Sequence, residues 1–182
     1  FIATADEEQG IQSLLSFSRK SGHLMWNRAI HRGGLMHMHS KNSQASATPA
    51  CDGERVYTAF INDGALWVTA TDLEGNVVWQ KNYVRDFGAS VPVWGISSAP
   101  LVDGDRLICL VGGEPNAKVI AFNKKTGEEI WRALSSDSEP GYTQPIIFEV
   151  GGARQLIVWH PEAVSSLDPR TGELYWEEPF LV

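Results

Sequence analysis

Apolar residues along the chain fall in short runs, continuous or alternating with polar residues, and each run is closed by turn formers. That spacing is the period of β-strands, and it excludes a solenoid of helical repeats. The runs recur as a unit. A short apolar stretch follows a proline (Ala50-Cys51, Leu101-Val102, Ile146-Ile147-Phe148), as proline is tolerated at a strand start. Asp-Gly or Gly-Gly comes next and suits a tight hairpin turn. A second strand is predicted over Arg55 to Phe60 and Arg106 to Val111, and a third over Leu66 to Thr71, Lys118 to Phe122 and Ala163 to Leu167. A turn ending in Gly22, Gly75, Gly127 or Gly172 leads to a fourth strand that carries a tryptophan.

Those tryptophans, Trp26, Trp79, Trp131 and Trp176, each stand four residues after the glycine and are spaced by 53, 52 and 45 residues. Four short antiparallel strands per repeat of this length indicate a blade of a β-propeller. The expected fold is therefore all-β, a partial propeller with blades at about 1–30, 45–82, 97–134 and 143–179. Phe1 to Ala5 aligns with a second strand, so the first blade is expected to lack its inner strand. From each tryptophan to the next strand-opening proline the chain runs 23, 21 and 14 residues, whereas six follow Trp176, among them Pro179-Phe-Leu-Val182. The expectation is a part of a larger ring of seven or eight blades. Open blade faces would favour self-association. Regular recurrence assigns the four tryptophans to packing, each ring covering roughly 150–250 Å² of the neighbouring blade.

Composition narrows the partners. The 182 residues carry 15 basic and 22 acidic side chains, a net charge of −7, which removes bulk attraction to nucleic acid or an anionic membrane. No apolar run reaches the roughly 18 residues that span a bilayer. Cys51 and Cys109 are isolated and read as small buried hydrophobes rather than a disulfide. No hydrolase elbow, phosphate loop or His-Glu-x-x-His zinc motif is present.

Propeller topology sorts the connections onto two rims. The Asp-Gly and Thr-Gly turns share one. The other carries long irregular loops, where function usually resides on a rigid scaffold. His37, His39, Lys41, Asn42 and Gln44 precede the second blade, Trp94 the third, and Tyr142 and Gln144 the fourth; Trp159, His160 and Glu162 lie between strands of the fourth. His37 and His39 alternate and face one way on an extended segment, as a metal pair would, but no third ligand is placed, and no metal site is assigned. Lys41 and Asn42 suit a carboxylate or a sugar, or else cap loop carbonyls. Trp94 and Trp159 suit a planar or sugar ligand, or else fill the loop core. His160 with Glu162 suits a base and its orienting acid, or else a surface ion pair. With Tyr142 they are also the residues of a third idea, a glycan hydrolase or lyase. No catalytic residue is assigned.

The stretches Ala121-Phe-Asn-Lys-Lys-Thr-Gly-Glu-Glu-Ile-Trp131 and Ser166-Leu-Asp-Pro-Arg-Thr-Gly-Glu-Leu-Tyr-Trp176 closely resemble the Ala-x-Asp-x-x-Thr-Gly-x-x-x-Trp repeat of PQQ-type β-propellers. Ser21 and Glu74 replace the threonine in the first two copies, and Ser18 replaces the aspartate. That family includes quinoprotein alcohol dehydrogenases and the non-enzymatic scaffold lipoprotein of the bacterial outer-membrane assembly machinery. The resemblance implies an exported, periplasmic or secreted bacterial protein. It leads to a non-enzymatic scaffold that recognises a protein, peptide or glycan on its irregular rim, with no cofactor. The alternative is a PQQ-dependent alcohol or sugar dehydrogenase or a fragment of one. By resemblance that would use a Trp face and often an adjacent Cys pair to sandwich the quinone, Ca²⁺ on carboxylate and amide oxygens, and an Asp base. The sequence has no adjacent Cys pair.

Overall fold

In the computed structural model, which describes residues 1–180, the strands form four separate antiparallel sheets, each a simple meander in chain order. The first sheet has three strands, β1 (Ile2–Asp6), β2 (Ile11–Phe17) and β3 (Leu24–Arg32). The second has β4 (Ala50–Cys51), β5 (Arg55–Asn62), β6 (Ala65–Asp72) and β7 (Val77–Asn82). A short helix, α1 (Tyr83–Phe87), follows it. The third holds β8 (Leu101–Asp103), β9 (Arg106–Gly113), β10 (Ala117–Asn123) and β11 (Glu129–Ala133). The fourth holds β12 (Ile146–Val150), β13 (Ala153–His160), β14 (Ala163–Leu167) and β15 (Leu174–Pro179). This is the all-β blade architecture that the repeats predict, with the first blade short of one strand. Of Pro179-Phe-Leu-Val182, Pro179 ends β15 and Phe180 donates its N–H to the Glu162 carbonyl; residues 181 and 182 lie outside the described residues.

The alternation along the strands sends side chains to both faces of each sheet, because every inner blade is covered on two sides. Tyr57, Ala59 and Ile61 pack with Leu107, Cys109 and Val111 between the second and third blades. Ile108 and Leu110, on the opposite face of β9, pack with Leu156 and Val158 of the fourth. The first junction is polar at one end. Gln12, fully buried, donates its amide to the Gln44 and Ile61 carbonyls at 2.8 and 3.0 Å and accepts from Asn62 Nδ2 at 3.2 Å.

One contact repeats at all three junctions. The indole N–H of Trp26, Trp79 and Trp131 donates to the carbonyl of Leu73, Lys124 and Pro169 in the next blade's turn, at 3.1, 3.1 and 3.3 Å. The ring then lies over the turn glycine. A Cβ on Gly75, Gly127 or Gly172 would stand 3.0, 2.8 or 2.6 Å from the facing indole. These glycines also have positive φ, of 84°, 73° and 75°, so only glycine combines the bend with the close approach. The ends of the array show what the contact requires. Gly22 has the same conformation with nothing within 4 Å, and Trp176 is 44% exposed and bonds Gln155 of its own blade at 3.1 Å.

Short side chains hold the turn carbonyl in place. Asn123 Oδ1 accepts from Lys125 N and Thr126 N, Asp168 Oδ1 from Arg170 N, and Asp72 Oδ1 from Glu74 N and Asn76 N. In each case the carbonyl of the residue that follows the Asn or Asp meets the tryptophan. The second blade's turn reaches the same result one residue shorter, since Asp72 stands three rather than four residues before its glycine.

The second junction adds an ion pair. Asp52 Oδ2 meets Lys124 Nζ and Tyr57 Oη, each at 3.0 Å, with the two charged side chains only 3% and 15% exposed. Burial alone would raise the Asp52 carboxyl. Hydrogen bonds from the Glu54 backbone, Lys124, the Arg55 backbone and Tyr57 outweigh it and hold the group well below the usual carboxylate range.

Three sequence expectations need correction. Residues 83–87, expected as irregular loop, are helical: Asn82 Oδ1 accepts from Arg85 N, Gly88 closes the turn at φ 64°, and Tyr83 and Phe87 both pack on Phe122. Five residues hold only one i, i+4 apolar pair, too little to register as a helical period. Cys51 is exposed while Cys109 is buried, because the two-residue β4 lies at a sheet edge. Trp159 and His160 sit on a strand, since β13 runs further than the apolar run that marks it.

Two outcomes follow. Gly127→Ala should destabilise the protein by about 2–5 kcal/mol, from left-handed strain plus overpacking. Gly22→Ala has the strain alone and should cost about 1–2 kcal/mol; urea unfolding reads both. The contribution of Asp52 is fully present above the unfolded carboxylate pKa near about 4 and fades as pH falls below it. Asp52→Asn should cost about 2–3 kcal/mol at neutral pH, less than a fully buried broken pair because Lys124 keeps some solvent. It should also flatten the acid limb of stability against pH.

Candidate functional site

The irregular loops of the second, third and fourth blades meet on one rim around Trp94. The tight turn at Gly95, with φ 91°, presents this indole to solvent, half exposed. The loop that carries it starts from α1, whose Tyr83 and Phe87 anchor it against the third blade. Three neighbours then fix it. Asn42 donates its side-chain amide to the Trp94 carbonyl. His39 sets its ring edge-on to the indole, centroids 4.2 Å apart. Glu139, from the loop before the fourth blade, accepts the Val93 N–H at 3.0 Å.

Glu139 also ties Tyr142 into the group, accepting its hydroxyl proton at 2.5 Å on the other carboxylate oxygen. Burial and this hydrogen bond push the Tyr142 phenol up to about 12. Ser97 donates to the Tyr142 carbonyl at 2.9 Å, closing the connection back to the Trp94 loop. Lys118 braces the same loop from below. The residue is fully buried on β10 and its ammonium donates to the Ser138 carbonyl. Burial pulls the Lys118 pKa down, while Glu114 and Glu162 oppose that shift. Glu114 accepts the Ser136 N–H at 2.7 Å. Hydrogen bonds and ring contacts thus tie the three loops to one another, through Asn42 and His39 at Trp94, Glu139 at Val93 and Ser97 at Tyr142, which preorganises the surface.

Two clefts flank Trp94 and Tyr142. One, of about 520 Å³, is lined by His39, Ser40, Lys41, Asn42, Trp94, Ser97 and Tyr142. The other, of about 420 Å³, is lined by Trp94, Gly141, Tyr142, Thr143, Trp159, His160 and Pro161. The residues singled out from the sequence divide accordingly. His39, Lys41, Asn42, Trp94, Tyr142, Trp159 and His160 come together on these clefts. His37 is exposed and lines neither. Gln44 is buried and donates to the Met36 carbonyl, so it shapes the loop instead. Gln144 is exposed and outside both clefts.

His39 is committed to Trp94, and its Nδ1 accepts the Lys41 N–H at 3.2 Å. Among the described residues, no three His, Cys, Asp or Glu side chains converge as a metal site requires. His160 faces Ser165 and Glu177, at 3.5 and 4.0 Å, rather than Glu162. Burial lowers its pKa, with Glu177 pulling the other way. Glu162 serves through its backbone carbonyl, which holds Phe180 N. Glu139, Ser97 and Lys118 escaped sequence reasoning. Glu139 stands in the irregular segment before the fourth blade, but nothing local marks a carboxylate that pairs across 46 positions to Val93.

A family model described as outer membrane protein assembly factor BamB matches residues 11–181. The quinoprotein ethanol dehydrogenases of Pseudomonas putida and Pseudomonas aeruginosa are 27% and 26% identical, each over 68% of this chain and 22% of the relative. The chain thus spans about a fifth of the length of these curated relatives. Among solved structures, the crystal structure of quinohemoprotein alcohol dehydrogenase from Comamonas testosteroni superposes with a TM-score of 0.61 at 15% identity, over 93% of this chain and 33% of that one. At that identity the likeness shows the propeller fold alone.

Proposed function

The chain belongs to the family described as outer membrane protein assembly factor BamB, and from that premise we propose that it is a non-enzymatic binding scaffold whose irregular rim recognises a protein, peptide or glycan. The observation that carries this reading is the Trp94 platform: an indole half exposed to solvent, yet tied by Asn42, His39 and Glu139 from two other loops. A large apolar ring that is both rigid and uncovered is the ordinary core of a recognition surface, since it presents contact area at little entropic cost. Its neighbours on the clefts are amides, hydroxyls, the imidazoles of His39 and His160 and the Lys41 cation, all groups that orient a ligand. The family description also favours placement outside the cytoplasm of a bacterial cell. Among the described residues no helix is long and apolar enough to cross a membrane.

The second reading, a PQQ-dependent dehydrogenase fragment, is favoured by the names of the two Pseudomonas relatives. The chemistry present fits the quinone and its Ca²⁺ poorly. Cys51 and Cys109 are separate free thiols, one exposed and one buried. The charged group on the Trp94 cleft is Lys41, which repels a cation, and both oxygens of Glu139 are engaged by Val93 and Tyr142. Calcium asks instead for six or more oxygen ligands.

Titration of the protein with PQQ and Ca²⁺, followed by tryptophan fluorescence and calorimetry, should give no saturable stoichiometric binding. A tight one-to-one isotherm would overturn the scaffold reading in favour of the dehydrogenase.

A further inference from the structure

Resting on the rim as a binding surface, we propose that its ligand is an acidic oligosaccharide, one sugar ring stacking on Trp94 and a sugar carboxylate meeting Lys41. The two clefts share Trp94 and Tyr142 in their linings, so they adjoin across the loops of three blades, and together they make up the trough offered to the ligand. The trough has an apolar ring face at its centre and short hydroxyl groups around it. A pyranose is the matching shape: a face of C–H groups that packs on an aromatic ring, and a periphery of hydroxyls that both donate and accept.

The polar groups are free for such a ligand. Ser97 and Thr143 each spend their hydroxyl proton on a backbone carbonyl, that of Tyr142 and that of Trp159, and keep oxygen lone pairs for an incoming hydroxyl. Lys41 is exposed on the first cleft and makes no ion pair among the described residues. Glu139 lines neither cleft and turns its two carboxylate oxygens to the Val93 N–H and the Tyr142 hydroxyl. In a protein of net charge −7, the first cleft therefore presents a cation with no ion-pair partner among the described residues.

A peptide is the poorer match. Strand addition, one mode of peptide recognition, needs a free strand edge. The lining residues come from loops and from the end of β13, where Trp159 and His160 pair with β14 but lie past the register with β12. The free edge there is too short to take an added strand.

Titration with trigalacturonate, with cellotriose as neutral control and a proline-rich peptide as the competing class, decides the matter by isothermal titration calorimetry, a readout that survives replacement of Trp94. Trigalacturonate should bind saturably and weaken with added salt, because the Lys41 contribution is screened. Trp94→Ala should lower its affinity at least tenfold, and Trp94→Phe should restore part of it. Lys41→Ala should cost about fivefold for trigalacturonate, roughly one solvent-exposed charge pair, and leave cellotriose unchanged. Both positions are exposed, so the variants should keep the wild-type urea midpoint. Equal binding of cellotriose, or no Lys41 effect, overturns the acidic assignment. Trp94-dependent binding of the peptide but of neither sugar overturns the glycan while the rim reading stands. Absence of all three overturns the glycan, and only PQQ with Ca²⁺ binding tightly overturns the rim reading itself.

Discussion

An indole ring laid on backbone that has no side chain is the contact on which the rest of this molecule depends. Each blade alone is a small twisted sheet with two apolar faces, and neither face can be left in water without cost. The tryptophan at the end of one blade meets the glycine turn of the next, and its N–H satisfies a carbonyl there. Packing and hydrogen bonding thus act on the same few atoms, so the joint fixes both the distance and the rotation between blades. Removing a buried tryptophan side chain typically costs about 3–5 kcal/mol, a large share of the stability of a domain this size.

The rim inherits its order from those joints. Trp94 belongs to the loop before the third blade and Glu139 to the loop before the fourth, and the two loops meet across the junction that Trp131 helps to dock. Asn42 reaches the backbone carbonyl of Trp94 from the loop before the second. A surface assembled from three blades can be rigid while each loop by itself is irregular, which is the usual division of labour between scaffold and recognition loops. Buried Lys118 extends the principle downward, tying the Ser138 carbonyl to the floor of the third blade.

The fold was legible because its signals are local and repeated. Gly-x-x-x-Trp marks a turn and a fourth strand within five residues, and Asp-Gly marks the hairpin before them. Strand ends were less legible: β5, β9 and β13 extend past the apolar runs into Asn62, Gly113 and His160, where blade contacts rather than propensity decide. At the rim, Trp94, His39, Lys41, Asn42 and Tyr142 stood out as departures from the repeat, and the structure places them together. What joins them did not stand out. Glu139 reaches Val93, and Ser97 reaches Tyr142, across 46 and 45 positions, and pairings of that length leave no trace in a single sequence. Gln44 looked like a ligand group and is a buried loop brace, since a buried amide and an exposed one read alike.

The account's central claim is that the joint between blades holds the platform in place. Amide hydrogen exchange of Val93 in Trp131→Ala tests it most directly, under conditions where the far-ultraviolet spectrum shows the strands intact. The Val93 N–H is held by Glu139 across the junction that Trp131 docks. Exchange at Val93 at least tenfold faster than in the wild-type protein, with β6 amides still protected, is the result the account predicts. Unchanged protection at Val93 would mean that the rim orders itself without the joint, and would contradict it.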